Sequence, residues 1–165
     1  VIGLSVAYEL PLGKTNVWLT DQSADALEVA RGNLAGVGQK GGGVRLALGN
    51  WWSALDASLK GAIDLALCNP PYIAHEDAEV ASDVHAWEPH SALYAHDNGL
   101  ADLREVITGA STWLARSGWL VVEIGYQQGK EVKLMLENAG LANIEIRQDL
   151  AGRDRIALAQ RQTSA

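Results

Sequence analysis

A chain of 165 residues, 48% hydrophobic and 20% charged, has the size and usage of one globular domain and excludes a disordered or fibrous chain. Thirteen basic residues against twenty acidic ones, a net charge of -7, disfavour non-specific attraction to nucleic acid or anionic membranes and point to a protein or small-molecule substrate. The single cysteine, Cys68, excludes an internal disulfide and a cysteine-based zinc site and is compatible with a reducing cytoplasm.

No apolar run approaches membrane-spanning length and no signal-peptide pattern opens the chain. Val1 to Ala7 reads as the middle of an apolar helix that Pro11, Leu12 and Gly13 stop, so the expectation is a domain whose start lies upstream. Asn16 to Thr20 is a short β-rich run ending at Asp21, and Ser23 to Ala35 is a helical stretch with Ser23 as its N-cap. Gly36 to Gly43 reads as a glycine-rich loop, Val44 to Leu48 as a strand, and Ile63 to Cys68 and Trp119 to Ile124 as nearly unbroken apolar strands. Asp97 to Ala115 and Gln127 to Ala139 read as helices. Asn143 to Asp149 and Arg155 to Gln160 read as two final strands joined by a turn at Gly152. Continuous apolar strands separated by helices predict a mostly parallel α/β sheet, and the two late strands an antiparallel edge pair. No repeat or linker divides the chain, so residues 1–165 are expected to be one domain.

Chemistry concentrates in Asn69-Pro70-Pro71-Tyr72, directly after an apolar strand, because open α/β sheets bind ligands beyond the carboxyl ends of their strands. Two prolines fix φ and remove two backbone donors, which leaves the Pro70 carbonyl as an acceptor without local competition. With the Asn69 side-chain oxygen it forms a pair able to take both hydrogens of an –NH₂ group and aim its nitrogen at an electrophile. Tyr72 adds an aromatic wall for a planar amide or base.

This tetrapeptide after the fourth strand resembles the amino-methyltransferase motif of class I S-adenosylmethionine enzymes. Gly49 to Leu55, Trp87-Glu88-Pro89 with Ala92-Leu93, Val122-Glu123-Ile124-Gly125 and the Asp149 to Arg155 tail narrow the resemblance to the HemK/PrmC family of protein-(glutamine-N5) methyltransferases. It implies a Rossmann-like fold and methyl transfer from S-adenosylmethionine to the glutamine of the Gly-Gly-Gln motif in peptide chain release factors. Asn69, Pro70, Pro71 and Tyr72 would form the catalytic motif, and Asn69, Pro70, Tyr72 and Glu88 the substrate pocket. Asp21, at the end of the second family strand, would hold the cofactor's ribose, with Asn50, Trp51 and Asn69 completing the cofactor site. The family commonly has aspartate where Asn50 stands, and an amide there still makes one hydrogen bond. The family's first strand, its glycine-rich turn and its helical substrate-recognition domain would precede Val1, so an N-terminally truncated catalytic domain lacking the first strand is expected.

Each of these residues could also serve the fold alone. Asp21 could cap the following helix; of Trp51 and Trp52, one could cover an adenine and the other pack into the core; Glu88 could lie in a solvated loop. His75, His85, His90 and His96 among Glu76, Asp77, Glu79 and Asp83 lack recognised ligand spacing, so no metal site is expected. Cys68 has no flanking base and reads as a small core filler. The alternatives to a release factor methyltransferase are a DNA or RNA amino-methyltransferase, which the acidic composition disfavours, and a non-catalytic binding module.

Overall fold

The computed structural model describes residues 2–11, 14–74 and 94–163. They fall into two compact units, Val1–Leu59 and Lys60–Ala165.

The first unit runs α1 (Ile2–Glu9), β1 (Val17–Asp21), α2 (Ala24–Ala35) and β2 (Val44–Leu48). Strands β1 and β2 pair in parallel from Val17 opposite Val44 to Asp21 opposite Leu48, which requires a crossover, and α2 supplies it. Ser23 starts that helix as expected, its Oγ accepting from the Ala26 N–H at 3.2 Å. Helix α1 lies against β1 so closely that a Cβ at Gly3 would collide with the Leu19 side chain. The glycine-rich stretch departs from expectation. Gly38–Gly43 winds into a 3₁₀ helix, where residues without a Cβ accept the tight turn and the positive φ of Gly38. A cavity of about 290 Å³ lies at the amino ends of β1 and β2, lined by Thr15, Val17, Lys40 and Val44 among others. It is at the opposite end of these strands from Asp21.

The second unit contains β3 (Ile63–Cys68), the two-residue strands β4 (Ile73–Ala74) and β5 (Tyr94–Ala95), α3 (Ala101–Trp113), β6 (Leu114–Glu123), α4 (Gly129–Asn138), β7 (Leu141–Gln148) and β8 (Asp154–Arg161). Its main sheet has the order β3-β6-β8-β7, with β3 parallel to β6 and the last three strands antiparallel. The predicted edge pair is therefore present, and β8, not β7, joins the rest of the sheet. The Leu120, Val122, Ala157 and Ala159 side chains are fully or almost fully buried, the alternation expected of strands covered on one face. Helix α3 buries Leu103, Val106, Ile107, Ala110 and Trp113, and α4 buries Val132 and Leu136, both at helical spacing.

Element ends are where sequence and structure part. Helix α3 begins at Ala101, not Asp97, because Asp97, Asn98 and Gly99 all have positive φ, at 56°, 54° and 81°, and form a left-handed turn before it. Strand β6 extends back to Leu114 through an irregular stretch. Its regular ladder with β3 resumes with Leu65 opposite Trp119, the residue at which the predicted strand begins. A Cβ on Gly118 would sit 2.6 Å from the Ile63 carbonyl oxygen, so this crossing needs glycine.

Candidate active site

Strand β3 delivers Asn69 at its carboxyl end, as the sequence predicted. Asn69 is exposed, Pro70 is buried, and Pro71 and Tyr72 are half-buried. Among the described residues neither the Asn69 side chain nor the Pro70 carbonyl has a hydrogen-bond partner. Two successive residues at the strand end thus each carry an unused acceptor, and the ring of Pro70 is packed into the unit.

Tyr72 is held at both ends. Its hydroxyl donates to Glu123 Oε1 at 2.9 Å and accepts from Arg155 Nη1 at 3.2 Å. Arg155 also donates to the Ile124 carbonyl at 3.3 Å and stands 3.9 Å from the Asp149 carboxylate. With its donor and one acceptor site engaged, the phenol fixes the ring as a wall. Burial, and then the adjacent Glu123 carboxylate, push its pKa above the ordinary tyrosine value against the opposing effect of Arg155, so the hydroxyl stays protonated at neutral pH. At the other end the Tyr72 carbonyl accepts from Gln128 Nε2 at 3.1 Å.

The sequence assigned no role to Glu123, Gln128 or Arg155. Glu123 and Arg155 lay in stretches that carried the family resemblance, which was the available signal. Gln128 had none, since a polar residue in the first turn of the expected Gln127 to Ala139 helix reads as solvent-facing.

The carboxyl end of the β1–β2 pair gathers Asp21, Asn50 and Trp51. The Gly49 N–H donates to the Asp21 carbonyl at 3.0 Å, which ties the two strand ends together. Asp21 Oδ1 accepts from the Ser23 N–H at 2.8 Å, but Ser23 itself caps α2, so capping does not exhaust the carboxylate. Its other oxygen has no partner among the described residues and fits a ribose hydroxyl. The exposed Asn50 makes no side-chain capping bond; its carbonyl accepts from the Ser53 N–H at 3.0 Å and Oγ at 2.5 Å. Trp51 opens a 3₁₀ turn with φ of 43°. Trp51 and Trp52 are each half-buried, so the division into one stacking and one core tryptophan does not appear as a difference in burial. Gly49, with φ of 157°, approaches the Ala54 backbone so closely that a Cβ would lie 2.7 Å from its Cα.

The donor set at this end, one carboxylate, one free amide and two indoles, matches the chemistry of an adenosine: hydroxyls to bind and a flat base to cover. The second group, Asn69 to Tyr72, belongs to the other unit. Trp87, Glu88, Pro89, His75, His85, His90 and their acidic neighbours lie outside the described residues. Among the described residues no group of three or more His, Cys, Asp or Glu side chains could hold a metal ion, and no helix is long and apolar enough to cross a membrane.

Solved structures share the architecture. A methyltransferase from Pyrococcus furiosus superposes with a TM-score of 0.64 at 14% identity, over 90% of this chain and 64% of that one. A predicted O-methyltransferase from Agrobacterium tumefaciens gives 0.62 at 18% identity, over 98% and 71%. The fold is that of the class I methyltransferases, and the main sheet of the second unit ends in an antiparallel pair. No protein-family profile matches the chain. By sequence it is similar to release factor glutamine methyltransferases over nearly all of its length. It is 38% identical over 157 residues to that of Burkholderia pseudomallei, 39% over 169 to that of Vibrio cholerae and 40% over 156 to that of Bordetella pertussis. These alignments cover 93%, 98% and 94% of this chain, and 54%, 54% and 55% of the relatives. The chain thus spans about half the length of the curated relatives it matches.

Proposed function

We propose that this chain is the catalytic part of an S-adenosylmethionine-dependent methyltransferase acting on the side-chain amide nitrogen of a glutamine in peptide chain release factors. The observation that carries the reading is that two acceptors at the carboxyl end of β3, Asn69 Oδ1 and the Pro70 carbonyl, have no partner among the described residues. Homology to proteins named for that reaction supports it.

S-adenosylmethionine, when bound, supplies an electrophilic methyl group. Asp21 would hold its ribose, and Asn50 and Trp51 its base. The two acceptors of Asn69 and Pro70 would take both amide hydrogens of the glutamine, which fixes the plane of the –NH₂ group and orients its lone pair. The Tyr72 ring would close one side of that plane. An amide nitrogen is a poor nucleophile because its lone pair is delocalised, so orientation and exclusion of water are what the protein contributes, with no covalent enzyme intermediate. One carbon–nitrogen bond forms, one carbon–sulfur bond breaks, and the surplus amide proton leaves to solvent. The substrate is a protein, not a nucleic acid, and the setting is cytoplasmic.

The test uses the full-length protein that carries this chain. It is incubated with methyl-labelled S-adenosylmethionine and, in separate arms, a release factor, the same factor with the Gly-Gly-Gln glutamine replaced by alanine, duplex DNA and RNA. Label on the unaltered release factor alone is expected. Label on nucleic acid, or equal label on both forms of the factor, would overturn the reading.

A further inference from the structure

The motif that carries the proposed chemistry has a weakness built into its sequence. Pro70 and Pro71 have no N–H, so the stretch lacks two of its four backbone donors. Donors from outside the stretch can make up for them. The structure offers two such donors to Tyr72: Arg155 at the hydroxyl, and Gln128 at the carbonyl.

Gln128 is held in one orientation. Its Oε1 accepts from the Gly125 N–H at 2.9 Å, which turns Nε2 toward three backbone carbonyls: Tyr72 at 3.1 Å, Asn98 at 3.3 Å and Gly99 at 3.3 Å. Flipping the amide would set an oxygen against three oxygens and an N–H₂ against an N–H. Gly99 completes the arrangement, since a Cβ there would lie 2.2 Å from the Tyr72 carbonyl oxygen and push it away from Gln128. Gly129, the next residue along, lies against the Asp154 side chain: a Cβ there would come 2.3 Å from Asp154 Oδ2.

From this we infer that Gln128 is a positioning residue for methyl transfer: by donating to the Tyr72 carbonyl it locks the Asn69–Tyr72 stretch and leaves the Pro70 carbonyl to the substrate. Gln128 need not touch substrate or cofactor. Its amide distinguishes two carbonyls only two residues apart, one engaged and one with no partner among the described residues. The inference rests on the functional reading above, but its physical core, the clamp, can be measured apart from it.

The experiment compares Gln128→Leu and Gln128→Glu with the unsubstituted full-length protein. Hydrogen exchange at the amides of residues 72–74 and 99–100 reads the clamp directly; acceleration in Gln128→Leu is expected, and unchanged exchange there overturns the inference. Single-turnover methylation at saturating cofactor and release factor should fall about 10- to 100-fold in both variants, with the cofactor dissociation constant unchanged. In Gln128→Glu the rate relative to the unsubstituted protein should recover as pH falls, because the protonated carboxyl regains one donor toward the Tyr72 carbonyl; Gln128→Leu should show no such recovery. Equal, pH-independent losses of rate and cofactor affinity in both variants would reduce Gln128 to a general structural role. If the unsubstituted protein methylates no release factor, the functional reading fails, and the exchange measurement still decides whether Gln128 is the clamp.

Discussion

At the scale of single residues, Asn69 and Asp21 make opposite predictions. Asn69 has no partner to lose in the described structure, so Asn69→Ala leaves folding untouched. It removes one acceptor from the amide being methylated, which should raise the barrier by about 2–4 kcal/mol. Single-turnover methylation set beside calorimetric cofactor titration checks this: a fall in rate with unaltered affinity is expected, and unimpaired transfer would exclude the orienting role. Asp21 does have a folding partner, the Ser23 N–H. Asp21→Asn keeps an oxygen for that bond while removing the charge, so it should weaken adenosine-containing ligands by about 1.5–3 kcal/mol with the melting temperature nearly constant. Unchanged ligand affinity in Asp21→Asn would leave Asp21 as nothing more than part of the entry to α2. Cys68 shows what burial alone does to a thiol. The residue keeps some exposed surface, but its thiol is desolvated and pushed from 9.0 up to about 12. A raised folded-state value favours the protonated form, so this contribution to stability is full below about pH 9 and disappears as pH climbs toward 12. The Tyr72 hydroxyl shifts in the same direction. Thermal melts from pH 8 upward should show an alkaline decline that is shallower in Cys68→Ala. At pH 8 the folded chain's thiol should resist alkylation far more than the denatured chain's.

At the scale of elements, the turn before α3 offers the sharpest test because it is both strained and close-packed. Gly99 combines φ of 81° with a position where a Cβ would lie 2.2 Å from the Tyr72 carbonyl. Gly99→Ala should therefore destabilise the second unit by roughly 1–3 kcal/mol and slow methyl transfer as well. Normal activity in a stable Gly99→Ala protein would mean that the turn tolerates movement. The sequence could not announce this turn. Asp97 and Asn98 read as the first residues of a helix whose apolar spacing is unmistakable from Leu103 to Trp113, and left-handed φ at such residues is decided by what packs beside them. The same limit applies to β6, where the ladder from Trp119 was legible as an apolar run, while the irregular Ala115 to Gly118 stretch depends on close contact with Ile63. Hydrophobic period exposed the core strands and helices. The tetrapeptide at the end of β3 was legible too, because two prolines directly after an apolar strand both end the strand and strip the backbone of donors. The partners that hold Tyr72 were not, since Glu123, Gln128 and Arg155 stand 51, 56 and 83 residues away and no local pattern encodes such pairings.

At the scale of the whole molecule, the strands themselves carry the final prediction. Among the described residues β1 pairs only with β2, and β3 only with β6, so each has a side whose backbone groups meet no other strand. Each carries a single charged residue, Asp21 in β1 and Asp64 in β3, in an otherwise largely apolar run. Strand β1 is Val17-Trp18-Leu19-Thr20-Asp21 and β3 is Ile63-Asp64-Leu65-Ala66-Leu67-Cys68, and Leu65 is 47% exposed. An apolar edge with open N–H and C=O groups recruits another strand. The 165-residue chain by itself should therefore self-associate as its concentration rises, and light scattering should show this together with a broadened melt. It should also hold S-adenosylmethionine more weakly than the full-length protein, since Asp21, Asn50 and Trp51 supply contacts to the adenosine end only. Blunting one edge separates strand recruitment from general instability: Leu65→Lys puts a charge on the open strand of β3, where it opposes strand addition. Reduced scattering in that variant is expected. A 165-residue chain that stays monodisperse, melts cooperatively and binds S-adenosylmethionine as tightly as the full-length protein would show that the open sides of β1 and β3 need no further strand.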